Sequence, residues 1–361
     1  MFWKGLFIGI VTLNAASLFA ESQPKKSQKQ PLQTFMNGEV GVLTPPSTPK
    51  TQGIYAILSG DFLYWIARED GLEYDLKSSM LFASGMKDMD VQEPVFQWAP
   101  GFRGTIGVRI PRDSWEVKGQ WTHLQTHASQ TTTAIPGTMN NVVYDDTAGF
   151  IETADSTSIF SKWNLLYNQF NAGLSRGFFL GKNLSTEIGF GGVGLWIDQK
   201  LKLNYPNFET TSLNYTSLPA EFGVAPRFEN EYKAGGLFFS AKPQWNLSPS
   251  WCILANGTGY LVHGTFKLSQ NWSVAQSNGN DLSIAKKYTR TRVGLQGSLG
   301  IQWQTSTRDE NFHFALSAQY EGLIWFKQNL WSQVNTLFAE NYERRGDLEM
   351  QGIAVSARLD F

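Results

Sequence analysis

Residues Thr289–Trp303 read TRTRVGLQGSLGIQW. Split by parity, one set is Thr289, Thr291, Val293, Leu295, Gly297, Leu299, Ile301 and Trp303. The other is Arg290, Arg292, Gly294, Gln296, Ser298, Gly300 and Gln302. Successive side chains of an extended strand point to opposite faces, so this segment has one apolar face and one wet face. The next segment repeats the pattern, with Phe312, Phe314, Leu316, Ala318, Tyr320, Gly322 and Ile324 against His313, Ser317, Gln319 and Glu321. The period is two, which a helix cannot use.

Further out, Phe96, Trp98, Phe102, Ile106, Val108 and Ile110 alternate with Gln97, Arg103, Thr105 and Arg109. Trp115, Val117, Gly119 and Trp121 alternate with Glu116, Lys118, Gln120 and Thr122. Less regular strands fit Ile54–Ile66, Trp163–Arg176, Leu184–Asp198, Leu237–Trp245 and Trp251–Leu268. Within Trp163–Arg176 the parity slips near Asn168, which predicts a bulge. The chain ends with Ile353, Val355, Ala357, Leu359 and Phe361 on one parity, Ser356, Arg358 and Asp360 on the other.

A soluble sandwich also alternates, so the medium must be read from other features. Aromatic residues collect at segment ends, among them Trp115, Trp121, Trp196, Trp251, Trp303 and Phe312, as interfacial girdles require. Connections alternate in length: Pro111–Ser114, Gly177–Asn183, Asn246–Ser250 and Ser306–Asn311 are short, while 67–95, 124–160, 199–232, 269–286 and 327–346 are long and polar. Short periplasmic turns and long external loops give this rhythm. A last strand that stops on Phe361 is expected to close the sheet and to offer an assembly signal to the barrel assembly machinery. After the N-terminus no apolar run approaches the length of a spanning helix, so a membrane crossing here must be a barrel. The expected fold is all-β: a transmembrane antiparallel up-and-down barrel over 51–361, with roughly ten to fourteen strands, an even number.

The N-terminus reads as a secretory signal over 1–20, with Lys4 ahead of an apolar core from Gly5 to Ala16 and cleavage expected after Ala20. Residues 21–50 are rich in Gln, Lys, Pro, Ser and Thr and are expected to form a disordered periplasmic linker. The chain is therefore expected in the outer membrane, in contact with its lipid. Phe 25, Trp 13, Tyr 12 and Gly 34 with 17% charged residues suit strands and turns. The formal net charge of −1 and the absence of a basic stripe argue against nucleic acid. Cys252 is the single cysteine, so no intrachain disulfide can form.

Several letter patterns suggest catalysis without its context. Gly173-Leu174-Ser175-Arg176-Gly177 spells a nucleophile elbow, which needs a strand-to-helix turn, yet here it ends a strand. Gly189-Phe190-Gly191-Gly192-Val193-Gly194 spells a dinucleotide fingerprint, but glycines in a barrel strand more often mark close packing. His123 and His127 on a strand would stand about 13 Å apart, too far to share a metal. His127, Asp145, Asp146 and His263 would be the residues of a rim lipase or protease, although their spacing does not gather them. No catalytic, metal or cofactor site is expected.

Certain blocks resemble the Legionella-type major outer membrane protein family of pore-forming proteins, with relatives in chlamydia-like bacteria. They are Trp98-Ala99-Pro100-Gly101-Phe102-Arg103, Trp115-Glu116-Val117, Lys162-Trp163-Asn164-Leu165, Gly194-Leu195-Trp196-Ile197-Asp198-Gln199, Trp251–Phe266 with Gly257, Gly259, Tyr260 and Gly264, and Ala315–Gln328. The resemblance implies a porin-like barrel through which small solutes or ions diffuse passively. Its selectivity would come from lumen charges, and the candidates on polar parities are Arg103, Arg109, Glu116, Lys118, Glu187, Arg290, Arg292, Glu321 and Arg358. Their mixed signs predict weak ion selectivity. Ten strands would leave a narrow or plugged passage, a tension that more strands or a homotrimer would ease. The alternative is an adhesin or structural barrel working through external loops such as Gln130–Asn141.

Overall fold

The computed structural model describes residues 55–78, 89–110, 115–133, 140–142, 158–208, 222–274, 282–306, 312–335 and 340–361. The expected signal and linker lie outside these residues, as do the short turns at 111–114 and 307–311. In chain order the strands are β1 (Tyr55–Glu69), β2 (Asp75–Ser78), β3 (Met89–Gln92), β4 (Trp98–Ile110), β5 (Trp115–Thr133), β6 (Asn140–Val142) and β7 (Ser158–Phe179). There follow β8 (Leu184–Phe208), β9 (Phe222–Asn246), β10 (Trp251–Val274), β11 (Leu282–Ser306), β12 (His313–Asn335) and β13 (Glu340–Asp360). Ten of them close a barrel in the order β1-β13-β12-β11-β10-β9-β8-β7-β5-β4, and β3-β2-β6 form a small separate sheet.

All barrel neighbours are antiparallel, and the seam runs from Ile57↔Asp360 to Glu69↔Leu348 between β1 and β13. Ala56 and Phe361 exchange both backbone hydrogen bonds, at 2.7 and 3.0 Å, which ties the first strand to the carboxyl terminus. At the same end, tight turns join neighbouring strands: Leu180 N–H donates to Leu184 O, and Leu247 N–H to Trp251 O, both at 2.9 Å.

Several strands are about twice as long as the alternating segments seen in the sequence, because they continue past the point where the polarity of their faces exchanges. On β10 the outward residues Trp251 and Leu261 are exposed apolar, and the inward Asn256 and Thr258 are polar. Higher up, the outward Lys267 and Asn271 are exposed, while the inward Val262, Phe266 and Leu268 are buried. The same exchange occurs on β8 above Trp196 and on β9 above Leu237, where Lys233, Glu231, Glu229 and Arg227 point outward.

In hydrocarbon the outer face must be apolar. Above the hydrocarbon that face meets water, so the barrel packs a core inside itself as a soluble protein does. The 25 residues of β8 extend roughly 80 Å, far more than an apolar belt of about 25 Å requires even with a strand tilt near 40°. The surplus is a collar standing on the membrane.

This exchange corrects the expected bulge at Asn168. The register of β7 against β5 and β8 is unbroken through His123↔Asn168↔Trp196. What changes there is the chemistry of each face: Gln169 and Asn171 point inward below, Trp163, Leu165 and Tyr167 point inward above. The long polar connections are shortened for the same reason. The strands run on through parts of 124–160, 199–232, 269–286 and 327–346, and two of the connections contribute β2, β3 and β6.

Two aromatic belts bound the apolar band. The upper one holds Tyr64 stacked on Trp98 at 5.5 Å, Phe102 edge-on to Trp121 at 5.0 Å, and Trp196. The lower one holds Trp245, Trp251, Phe312 and Phe361, all exposed, with Arg176 laid over Trp115. Trp121 and Trp196 therefore sit in mid-strand, at the membrane edge rather than at a strand end. On this account Leu261→Lys and Leu299→Lys each cost about 2–4 kcal/mol. Thr265→Lys and Thr289→Lys, on the same faces of the same strands but above the belt, change stability by less than about 1 kcal/mol. Urea unfolding in lipid vesicles checks this, and equal losses at both levels would contradict the placement of the membrane edge.

Candidate functional site

The inward faces of the membrane-level strands surround a cavity of about 230 Å³, bordered by Asp61, Arg103, Lys118, Glu187, Lys242, Glu321 and Arg358 among polar neighbours. Charged groups sit here because the outer face of each strand belongs to lipid, leaving the lumen as the place for polar side chains. At the top of the cavity Arg103 donates from Nη2 and Nη1 to the two oxygens of Glu321, at 2.7 and 3.0 Å, in the fork geometry peculiar to guanidinium and carboxylate. Its Nη1 also reaches Asp61 at 3.2 Å, and its Nε reaches the Thr122 hydroxyl at 3.2 Å. Asp61 further accepts from Ser356 at 2.6 Å and Ser59 at 3.1 Å. The Arg103 and Glu321 side chains keep only 8% and 4% of their exposure, so this is a desolvated network.

A second network closes the lower end. Glu116 pairs with both Arg109 and Lys118, and Lys118 bonds Glu187 at 2.8 Å. Lys242 faces Glu187 directly across β8 and β9. Arg358 bonds Asp360 at 2.8 Å, and Asp360 is held by His313 at 3.2 Å. Around the lumen Arg103, Arg109, Lys118, Lys242 and Arg358 meet Asp61, Glu116, Glu187, Glu321 and Asp360, so formal charges cancel.

Immediately above the Arg103 network lies an aromatic layer. Trp65 lies against the Arg103 guanidinium, whose carbon is 5.6 Å from its ring centre. Trp325 is 5.4 Å from Tyr260 and donates to the Tyr167 hydroxyl at 3.3 Å. Gly294 makes room for that indole, because a Cβ there would meet Trp325 ring carbon at 2.7 Å. The collar core continues upward through Trp163, Leu201, Phe228 and Tyr232, with Tyr232 stacked on Phe266 at 4.1 Å.

The segment after β1 folds into this core from above. Gly71, at φ +85°, supplies the left-handed turn that sends Leu72 and Tyr74 into the lumen, both fully buried. The Tyr74 hydroxyl lies 2.5 Å from that of Thr132. On β12 the register shifts between Trp325 and Asn329, with Lys327 in left-handed backbone, and this bulge turns Asn329 to donate to the Asp70 carbonyl at 2.6 Å. The cavity is lined by polar and charged side chains below and covered by packed aromatic side chains above.

Of the nine charges named from the sequence, Arg103, Lys118, Glu187, Glu321 and Arg358 border the cavity, and Arg109 and Glu116 form its floor network. Arg292 points inward but higher, over the Phe266 ring at 4.9 Å, and Arg290 stands exposed over Tyr288 at 5.4 Å. Neither belongs to the cavity, because β11 has crossed into the collar at their level. Asp61, Lys242 and Asp360 were missed, although Ser59 and Asp61 alternate with Leu58, Gly60 and Phe62 clearly enough to have been found.

Gly173–Gly177 lies within β7 and Gly189–Gly194 within β8, neither at a helix start. His123 and His127 share the outward face of β5, where His123 Nδ1 is 2.8 Å from Asn168 Oδ1. His263 faces outward on β10, with β7, β8 and β9 between it and His127, so these histidines are not gathered. Asp145 and Asp146 lie outside the described residues. Cys252 is an inward-facing buried thiol near the lower end.

Replacing Arg103 by Met strands two buried carboxylates and is expected to cost about 3–5 kcal/mol. The triple change Asp61→Asn, Arg103→Met, Glu321→Gln recovers most of that loss. Urea unfolding of the refolded barrels measures both, and a single variant as stable as the parent would show that the network is not desolvated.

Comparison with known proteins sets the barrel among others. It is similar to the outer membrane protease OmpT from Escherichia coli, at 7% identity over 87% of this chain and 99% of that chain, TM-score 0.39. It is similar to the attachment invasion locus protein Ail of Yersinia pestis, at 12% identity over 86% and 100%, TM-score 0.23. A further likeness is to the Pseudomonas putida toluene transporter TodX, at 9% identity over 86% and 89%, TM-score 0.20. No curated protein sequence matches the chain significantly. The sequence model of the Legionella pneumophila major outer membrane protein precursor matches residues 48–361, nearly the whole chain beyond its N-terminal segment. This outer-membrane β-barrel therefore belongs to the Legionella major outer membrane protein family.

Proposed function

We propose that the barrel is a narrow, gated passage for small ions and solutes, a restricted form of porin, closed in the state described. One contrast carries the reading. The collar packs its interior dry, with Trp163, Phe228 and Phe266 buried, whereas the membrane-level lumen keeps a charged cavity of about 230 Å³, room for several waters. A barrel needed only as a stalk could be packed dry throughout. The aromatic layer of Trp65, Tyr167, Tyr260 and Trp325 then acts as a hydrophobic gate, and Arg103 with Asp61 and Glu321 as a charged constriction beneath it. No covalent chemistry is required. Phe361, paired to Ala56 at the seam, is the residue we assign to recognition by the assembly machinery.

A second reading is a surface barrel acting through the collar and the β3-β2-β6 sheet, and the apolar seal favours it. Planar-bilayer recording of the refolded chain separates the two. The passage reading predicts small, brief openings in the parent. It predicts several-fold larger conductance in Trp65→Ala/Trp325→Ala and a shift toward anion selectivity in Asp61→Asn/Glu321→Gln. Silence in all three with intact β-sheet circular dichroism would replace the passage by the surface reading. A large, permanently open conductance in the parent would contradict the seal.

A further inference from the structure

The outer surface of the collar carries a basic face that the passage does not use. In the pairing register Lys162 on β7 stands directly opposite Lys202 on β8, and Lys202 directly opposite Arg227 on β9. All three are exposed. Directly opposed strand residues have Cβ atoms about 5 Å apart, and like charges so placed destabilise a sheet. Arg227 has a partner in Glu229 at 2.8 Å, but Lys162 and Lys202 have no anionic partner among the described residues.

Below this row Lys200, Lys233 and Lys267 continue the face down to the aromatic belt, with Lys233 opposite Trp196. The anions within it, Asp198, Glu229 and Glu231, are outnumbered, and the two glutamates are already paired with Lys200, Lys233, Lys267 or Arg227. The face is local. Among the described side chains of β13 and β1 the outward charges above the belt are Arg68, Asp347 and Glu349, with Arg68 opposite Glu349, so these are acidic on balance.

From Trp196 to Lys202 the strand climbs roughly 20 Å, or about 15 Å of height at a tilt near 40°. That is the zone just outside the hydrocarbon, where the lipopolysaccharide of an outer leaflet presents its glucosamine phosphates and inner-core acidic sugars. We propose that this face, centred on the Lys162–Lys202–Arg227 row, binds the anionic headgroup of lipopolysaccharide and so fastens the collar to the leaflet. Phosphate and carboxylate oxygens entering between the three cations replace mutual repulsion with charge-assisted hydrogen bonds. The long lysine stems lie along the strands and carry their ammonium groups toward the sugars.

The test uses the full mature chain, refolded in detergent free of lipopolysaccharide, with purified lipopolysaccharide titrated in and melting followed by circular dichroism. The parent gains thermal stability saturably. In Lys162→Gln/Lys202→Gln/Arg227→Gln the apparent affinity falls roughly a hundredfold, at about a tenfold or less per lost cation. Without lipopolysaccharide the same triple variant melts above the parent, because the repulsion is gone. Lys202→Gln alone, a single exposed change that leaves the fold intact, shows both effects at smaller size, and Lys182→Gln at the lower turn shows neither. Binding undiminished in the triple variant, or weakened equally by Lys182→Gln, overturns the proposal. So does heparin binding as tightly as lipopolysaccharide and displacing it, which would mark the face as a site for soluble sulfated polysaccharide.

Discussion

A peptide group in hydrocarbon finds no water to bond, and each unsatisfied N–H or C=O costs several kcal/mol. The ring from β1 through β13 back to β4 answers that constraint, with every barrel strand paired on both sides and the seam held by Ala56 and Phe361. Closure then fixes the chemistry of both faces. The outer face at membrane level must be apolar, so polar residues of those strands have only the lumen to occupy, and ten strands leave that lumen narrow enough for side chains to reach across it. Arg103 spans from β4 to Glu321 on β12, and Lys118 on β5 to Glu187 on β8.

Most of the same strands leave the membrane in register, β12 excepted at its bulge between Trp325 and Asn329, and beyond the hydrocarbon the preference of each face reverses. Water outside favours Lys200, Glu229 and Lys267, and the interior becomes the place for Trp163, Leu201 and Phe266. One sheet thus holds a polar, charged chamber and an apolar core, meeting at the layer of Trp65, Tyr260 and Trp325. The inward turn at Gly71 and the bulge that aims Asn329 at Asp70 add a clasp across the upper end. The proposed gate and the proposed lipid-binding face lie on opposite faces of these strands and share no residues.

Much of this could be read from the letters. Thr289–Trp303 showed its strand and both faces, and the family resemblance in Trp98–Arg103 and Trp251–Phe266 agrees with membership. The collar was illegible for a physical reason. Period-two reading assumes that one parity keeps one polarity, and in β7 the assumption fails at Asn168, so an exchange of solvent looked like a slip of register. It also made strand look like loop, since Lys200–Asn204 or Glu229–Lys233 are polar on the parity that the lower strand had marked apolar. Arg290 and Arg292 keep the parity of the cavity-facing residues but stand above the cavity, since β11 has entered the collar at their level. Leu72 and Tyr74 gave no signal, because their burial depends on how the turn at Gly71 is held by Asn329 on the β12 bulge, far away in sequence.

The central claim is the exchange of faces at the membrane edge, and nitroxide scanning of β10 tests it directly. Labels placed singly from Ile253 to Gln270 in a Cys252→Ser background, in lipid vesicles, report collision with oxygen from lipid and with a nickel complex from water. The account predicts oxygen access at outward positions up to Leu261, nickel access at outward positions from Thr265 upward, and protection from both at inward Val262, Phe266 and Leu268. Oxygen access persisting outward through Lys267, or nickel reaching Phe266, would contradict it.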